Sequence, residues 1–266
     1  MNSKFIAFLF VISFLTLSCK NTSETENVSD ENMEMNSEEK KFTISPFSDS
    51  PAFPDAEITS VNYQNSKFSF GIEATDYQLG EQTSDASTKM CANSDKGQHI
   101  HLIVDNEPYA AKYTADFDYE IEDGEHHMLA FLSRSYHESI KTDAAHVAKK
   151  ITVNGNSITE ESDIEEPMLF YSRPKGSYVG KDTEKIMLDF YLVNTNLSAD
   201  GYKVKAEING EEHMLDTWQP YFVEGLPMGI NSIRLTLVDK DGNRVDTPLN
   251  PVTRTFELME DPAPAD

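Results

Sequence analysis

The sequence is poor in basic residues, and this deficit limits the partners that the protein can have. Its 266 residues include 22 lysines and arginines against 46 aspartates and glutamates, a formal net charge of −24. Binding to nucleic-acid phosphates requires clustered Lys and Arg side chains, and the sequence has no such cluster. We therefore expect no nucleic-acid partner. The same acidity disfavours docking on anionic lipid head groups.

Sequence motifs that carry catalysis are also lacking. The chain has no Gly-x-Ser-x-Gly elbow, no phosphate-binding loop, no dinucleotide fingerprint and no His-Glu-x-x-His zinc motif. We therefore expect that the protein is not an enzyme.

Cysteine is scarce, since Cys19 and Cys91 are the only two. Cys19 follows an apolar run, residues 5–17, that is typical of a secretory signal and too short to span a bilayer as a mature helix. Residues 15–19, Leu-Thr-Leu-Ser-Cys, resemble a bacterial lipobox. This resemblance implies a lipid on Cys19; ordinary cleavage nearby and an uncleaved anchor are the alternatives. With Cys19 lipidated, Cys91 has no disulfide partner.

The segment that follows Cys19 has almost no apolar residues. Residues 19–41 are rich in Glu, Asn and Ser and cannot bury enough surface to offset the entropy cost of ordering. They are predicted to form a disordered acidic tether. Lipid and tether together predict an outer-membrane lipoprotein of the cell envelope, held to the membrane by its lipid and either periplasmic or surface-exposed.

What the chain does contain is a repeat of short alternating strands. Four segments of the first half recur in the same order in the second half. The aligned pairs are 67–79 with 185–197, 97–107 with 201–211, 119–124 with 221–226, and 149–153 with 254–258. The alternation of apolar and polar residues in these segments indicates strands with one buried face.

Each copy has the length and turn composition of an immunoglobulin-like domain, about a hundred residues with Gly, Asn, Asp and Pro turns and no amphipathic helix. The sequence therefore predicts an all-β fold of two tandem immunoglobulin-like β-sandwich domains. The predicted boundaries are 1–18 for the signal peptide, 19–41 for the tether, 42–154 for domain one, 155–166 for a linker, 167–259 for domain two and 260–266 for a disordered tail. Domain one also carries an insertion, residues 80–96, which contains Cys91.

The histidines are concentrated in domain one, where six of the seven lie between residues 99 and 146. The second copy has Lys203 and Lys205 at the positions of His99 and His101. Two lysine side chains on one face of a strand indicate that this face is exposed to solvent. Alternation along the strand then predicts that His99 and His101 face outward and that Ile100 faces the core.

The same reasoning on the neighbouring strands predicts an outer face of mixed chemistry. Its members are His99, His101, His127 and His146, together with the apolar Ile103, Leu129 and Phe131. Two histidines at i and i+2 on a strand can chelate one Cu or Zn ion, and a third from the adjacent strand can complete three nitrogen ligands. Cys91 is a candidate sulfur ligand. Packing of this face against domain two or a partner protein is the alternative.

The remaining histidines of domain one are assigned other roles. His126, which follows Asp-Gly-Glu, is predicted to be a turn residue bonded to backbone. His137 lies near Arg134 in a segment predicted to be a solvated loop, with anion binding as the alternative.

Two fragments of domain one carry a family resemblance. Residues 97–105, Gly-Gln-His-Ile-His-Leu-Ile-Val-Asp, and 123–129, Asp-Gly-Glu-His-His-Met-Leu, resemble a small family of bacterial Ig-like, cupredoxin-like domains of unknown function. The whole chain is also similar to short lipoproteins sometimes labelled phosphopeptide-binding, although it lacks the forkhead-associated Gly-Arg/Ser/His pattern. The resemblance implies a fold and no activity.

Three functions are compatible with these features. The favoured one is a cell-envelope binding or interaction module, whose unknown protein or small ligand contacts the outer face of domain one and its insertion. The second is periplasmic copper or zinc binding through His99, His101 and His127. The third is a structural accessory subunit of an envelope complex.

Overall fold

The computed structural model describes residues 42–262, and in this range the chain is built from β-strands without any α-helix. Cys19 and the predicted signal peptide and tether lie outside the described residues, as does the end of the predicted tail, 263–266. Within the described range, none of the short helices meets the length and hydrophobicity that a bilayer crossing demands.

The described strands and 3-10 turns follow one another in a regular order. The strands are β1 (Thr43–Pro46), β2 (Glu57–Gln64), β3 (Lys67–Glu73), β4 (His99–Val104), β5 (Ala110–Lys112), β6 (Asp116–Asp118), β7 (Gly124–Ser133), β8 (His146–Asn154), β9 (Ser157–Asp163), β10 (Met168–Arg173), β11 (Gly176–Val179), β12 (Lys185–Val193), β13 (Lys203–Ile208), β14 (Glu211–Leu215), β15 (Tyr221–Glu224), β16 (Gly229–Val238) and β17 (Val252–Met259). The 3-10 turns are Ala86–Thr88, Asp143–Ala145 and Gly180–Thr183.

The first sandwich consists of a three-stranded sheet, in the order β2-β3-β6, and a five-stranded sheet, in the order β5-β4-β7-β8-β9. Their facing side chains form one core that includes Phe68, Ile100, Leu102, Ala130 and Leu132. These residues occupy alternate strand positions, so the core-facing side of each strand is the one that alternation predicts.

The second sandwich repeats this plan with a four-stranded sheet, β1-β15-β12-β10, and a five-stranded sheet, β11-β17-β16-β13-β14. The strand pairing also repeats. Ile100 pairs with Leu132 between β4 and β7, and the aligned residues Val204 and Leu237 pair between β13 and β16. The predicted fold class, two tandem immunoglobulin-like β-sandwiches, is confirmed for the described residues.

The two sandwiches pack face to face, and this contact overturns one expectation. The outer side of β4 and β7 lies against β10 and β12 in an apolar cluster that includes Ile103, Leu129, Phe131, Phe170 and Tyr191, and the first three are fully buried. The expectation that Ile103, Leu129 and Phe131 form an exposed binding surface is therefore wrong. Their direction, away from the first core, is as alternation predicts.

Strand pairing differs from the predicted domain boundaries in two places. β1 lies in the segment predicted to open domain one, yet it pairs antiparallel with β15 of the second sandwich. β9 lies in the predicted linker, yet it pairs with β8 and extends the five-stranded sheet of the first sandwich. The chain therefore crosses between the sandwiches at both ends of the first one.

The packing between the sandwiches can be tested with Phe131→Ala. Because the Phe131 side chain is fully buried, the substitution should lower the free energy of unfolding by about 3–5 kcal/mol. Urea denaturation measures this change. Ile230→Ala is the control, since Ile230 is 70% exposed and its truncation should change stability by about 0.5 kcal/mol or less. Equal small effects of both substitutions would show that the face of β7 is open to solvent.

Candidate metal centre

The first strand of the site is β4, which is buried on both faces. Ile100 and Leu102 point into the core of the first sandwich, whereas His99 and His101 point to the opposite side, and both are 0% exposed. The expectation that these imidazoles face water is wrong. They point outward from their own domain, but the second sandwich covers that face.

A third histidine meets these two at the end of β4. The Nε2 atom of His99 lies 2.9 Å from Nε2 of His101 and 3.0 Å from Nδ1 of His137. One ring nitrogen from each of the three residues lies within 4.8 Å of the other two. Among residues 42–262, these three histidines form the group of His, Cys, Asp and Glu side chains whose donor atoms lie close enough together to hold one metal ion.

His137 reaches the cluster because the turn after β7 is tightly held. Its backbone has a φ of +70°, a left-handed conformation that is uncommon for residues other than Gly and clusters at functional sites. Within the turn, its N–H donates to the Arg134 carbonyl at 2.9 Å. The fully buried Asp189 of the second sandwich accepts hydrogen bonds from the Ser139 N–H at 3.1 Å and from Lys141 Nζ at 2.6 Å.

Hydrogen bonds behind the cluster orient two of the rings. Nδ1 of His99 lies 2.8 Å from the Gly97 carbonyl oxygen, which can only accept, so Nδ1 carries the proton and Nε2 directs its lone pair toward the other two histidines. Nδ1 of His101 lies 3.2 Å from the Ser172 hydroxyl of β10. Both sandwiches therefore take part in positioning the imidazoles.

Burial keeps the three imidazoles uncharged. Desolvation lowers the pKa of His99 to about 4, and the positive charges of Arg173 and Lys175 act in the same direction. Desolvation also holds the pKa values of His101 and His137 well below the ordinary value. Neutral imidazole is the form that binds metal ions, so the cluster needs no deprotonation at neutral pH.

Tyr109 closes one side of the cluster. Its ring is stacked on His101, with the ring centroids 3.6 Å apart and the planes inclined by 8°. Its hydroxyl oxygen lies 3.3 Å from Nδ1 of His137 and accepts a hydrogen bond from Nη1 of Arg173 at 3.3 Å. Lys175 donates to the Tyr109 carbonyl at 2.6 Å.

The other predicted metal candidates lie outside the cluster. Nε2 of His127 is 3.9 Å from a Glu166 carboxylate oxygen, and the His146 ring packs on Tyr191 with centroids 4.9 Å apart. Cys91 packs against an aromatic cluster, and desolvation raises the pKa of its thiol to about 12. The structure thus brings His99 and His101 together with His137, and not with His127, His146 or Cys91.

His126 also has a role different from the predicted one. Its Nδ1 lies 2.6 Å from an Asp105 carboxylate oxygen, and its Nε2 lies 2.9 Å from the Glu122 carbonyl. The backbone contact matches the predicted turn role, and the ion pair with Asp105 is additional.

Sequence reasoning missed His137, Tyr109 and Arg173. Each lies in a turn or at the end of a strand, where alternation does not apply. One sequence signal could have located His137. Ser133, the last residue of β7, is opposite His99 on β4, and His137 follows Ser133 by only a few residues, so it must lie near His99.

Comparison with solved structures gives distant matches. No family model matches the chain, and no curated protein matches it. Among solved structures, fibronectin(III)-like modules of Clostridium thermocellum CbhA match with 14% identity and a TM-score of 0.28, over 36% of this chain and 100% of that one. The two tandem V-type regions of a v-region-containing chitin binding protein match with 9% identity and a TM-score of 0.21, over 82% of this chain and 99% of that one.

The buried imidazoles predict a specific dependence of stability on pH in metal-free protein. The folded-state pKa of His99, about 4, lies below the value of about 6.5 in an unfolded chain. The unfolded chain therefore binds protons first as the pH falls, and stability that is complete above about pH 6.5 is lost toward pH 4. At pH 5, 1.5 pH units below 6.5, the loss from His99 is about 2 kcal/mol.

Urea denaturation in the presence of a chelator, at several pH values between 5 and 7.5, measures this loss. His99→Phe removes the titrating group and keeps a ring of similar size, so its stability should fall less steeply over the same range. Equal slopes for the variant and the wild type would mean that His99 is accessible to protons in the folded state.

Proposed function

We propose that this protein is a non-catalytic metal-binding lipoprotein of the cell envelope, which holds one Cu or Zn ion through His99, His101 and His137. The observation that carries the proposal is the convergence of one ring nitrogen from each of three imidazoles, two fully buried and the third, His137, partly exposed. The nitrogens of His101 and His137 lie 2.9 Å and 3.0 Å from His99 Nε2. Three nitrogen ligands with a further position are typical of Zn and Cu sites in proteins.

Hydrogen bonding between the rings explains this arrangement less well than a metal ion does. Since Nδ1 of His99 donates to Gly97, its Nε2 is an acceptor with a single lone pair, yet nitrogens of both His101 and His137 approach it. One lone pair cannot serve two donors well, and an unsatisfied buried polar group costs about 1–3 kcal/mol. A cation between the rings accepts all three lone pairs at once.

The proposal replaces the hypothesis of a ligand on the outer face of domain one. Ile103, Leu129 and Phe131 are fully buried against the second sandwich and cannot meet a partner there. Location in the envelope is proposed from the lipobox-like segment that ends at Cys19 and from the acidic residues that follow it. The membrane is contacted through the lipid.

Metal binding is tested on protein purified without an affinity tag, with the metal content measured after dialysis and the affinity measured by competition with a chelator. The wild type should hold one Cu or Zn ion per chain. His137→Ala removes one of the three proposed ligands. Loss of a residue that only supports a ligand lowers metal affinity by about 10- to 100-fold, so loss of a ligand itself should lower it by at least about 100-fold.

His127→Ala is the matched control. His127 belongs to the same sandwich, but its imidazole lies outside the cluster, with Nε2 3.9 Å from a Glu166 carboxylate oxygen, so its loss should leave the affinity unchanged. Protein that binds neither Cu nor Zn at a stoichiometric level would rule out the proposal. An effect of His127→Ala as large as that of His137→Ala would place the ion elsewhere.

A further inference from the structure

We infer that one end of the second sandwich rests on a lipid bilayer, where four exposed apolar side chains enter the interface of a membrane with zwitterionic head groups. The side chains are those of Val179, Met228, Ile230 and Met259, which we call the apolar end patch. The inference rests on the part of the proposed function that attaches a lipid to Cys19, and it is independent of the metal centre. It gives the folded domains a membrane contact of their own, in addition to the lipid.

The apolar end patch holds most of the exposed large apolar side chains in the described part of the chain. Residues 42–262 have six such side chains, and four of them belong to the patch. Ile230 is 70% exposed and Met228 is 54% exposed. Single exposed apolar side chains are ordinary, whereas a group of them marks a contact surface.

Strand pairing places the members of the patch side by side. Val179 of β11 pairs with Met259 of β17, and Glu257 of β17 pairs with Ile230 of β16. Paired residues lie on one side of a sheet, and so do residues two apart on one strand. Val179, Met259 and Ile230 therefore share the outer side of the five-stranded sheet, and Met228 comes directly before β16.

The chain enters the fold at the same end. β1 is the first strand of the described residues, and its first residue, Thr43, pairs with Glu224 at the end of β15. Residues 225–228 then connect β15 to β16, and the last of them is Met228. Because so short a connection joins strand ends that lie close together, Thr43 and the apolar end patch are at one end of the second sandwich.

A lipid on Cys19 would hold this end close to the membrane. Residues 19–41 number 23, and a fully extended chain spans at most about 3.5 Å per residue, so the distance from Cys19 to β1 is at most about 80 Å. A second contact made by an anchored protein is intramolecular, so it needs little affinity of its own. A patch of four apolar side chains therefore fits an anchored protein better than a free one.

Charges around the patch select the type of lipid. The bases at this end are Lys181 and Lys185, and Lys185 Nζ lies 3.1 Å from a Glu224 carboxylate oxygen. The acids at this end are more numerous, and they are Asp182, Glu184, Glu224, Glu257, Glu260 and Asp261. Anionic head groups would repel such an end, whereas zwitterionic head groups carry no net charge. The acidic surroundings therefore favour phosphatidylethanolamine and phosphatidylcholine over anionic lipids.

The test locates position 230 in full-length, lipidated protein in vesicles of phosphatidylcholine and phosphatidylethanolamine. Ile230→Cys carries a nitroxide spin label in a Cys91→Ala background, and Cys19 has no free thiol once it is lipidated. Power-saturation EPR compares collisions of the label with oxygen, which concentrates in the bilayer, and with a water-soluble nickel chelate. The oxygen-to-nickel ratio should be at least about threefold higher at position 230 than at a control position in water, because the patch enters the acyl boundary.

Met214→Cys in the same background is the matched control. Met214 is 50% exposed and lies on the same sheet, where it pairs with Lys205, which in turn pairs with Thr236. Thr236 is six residues from Ile230 along β16, a distance of about 20 Å, so a label at position 214 should remain in water. Both labelled positions are exposed, so neither substitution should disturb the fold.

Mass spectrometry of protein purified from membranes separates this inference from the proposed function. Cys19 without acyl chains would count against the lipoprotein and the membrane contact together. In lipidated protein, equal ratios at positions 230 and 214 would overturn only the membrane contact. A label at position 230 that meets neither reagent would also overturn it, because another protein, such as a second copy of this chain, would then cover the patch. Added phosphatidylglycerol should lower the ratio at position 230, and a rise would contradict the role given to the acidic residues.

Discussion

The packing of the second sandwich on the outer face of β4 and β7 is the constraint on which the site depends. It removes water from His99 and His101, which keeps both imidazoles neutral. It also supplies Ser172 behind one ring and Arg173 behind the Tyr109 hydroxyl. The three histidines belong to the first sandwich, and side chains of the second complete their surroundings.

Polar contacts across the interface fix the relative position of the two sandwiches more closely than apolar packing alone can. Asn106 of the first sandwich donates to the Leu169 carbonyl at 2.8 Å and accepts from the Tyr171 N–H at 2.7 Å. Asp189 of the second sandwich binds Ser139 and Lys141 beside the turn that carries His137. Hydrogen bonds are directional, and all of these residues except the partly exposed Lys141 are buried. A sliding movement of one sandwich over the other would therefore leave buried polar groups without partners.

The fold followed from the sequence because strand alternation and the internal repeat are local signals. Ile100 pairs with Leu132 in the first sandwich, and the aligned residues Val204 and Leu237 pair in the same way in the second. The site followed only in part. Alternation placed His99 and His101 on one face, but whether a face meets water depends on a contact between domains. His137 and Tyr109 lie in turns, where backbone conformation, such as the φ of +70° at His137, decides what a side chain reaches.

The two copies pack differently, and this explains why their alignment gave the wrong exposure for His99 and His101. Lys203 and Lys205 are partly exposed, because no sandwich covers the outer side of β13. The aligned residues His99 and His101 are fully buried, because the outer side of β4, together with that of β7, lies in the interface between the sandwiches. A sheet face that is covered by another domain cannot bury two lysine charges without opposite charges beside them. Imidazoles can be buried there, because they can be neutral and can form hydrogen bonds with each other. The difference between the copies is therefore a consequence of the asymmetric way in which they pack, and the three-histidine cluster lies on the sandwich whose outer face is covered.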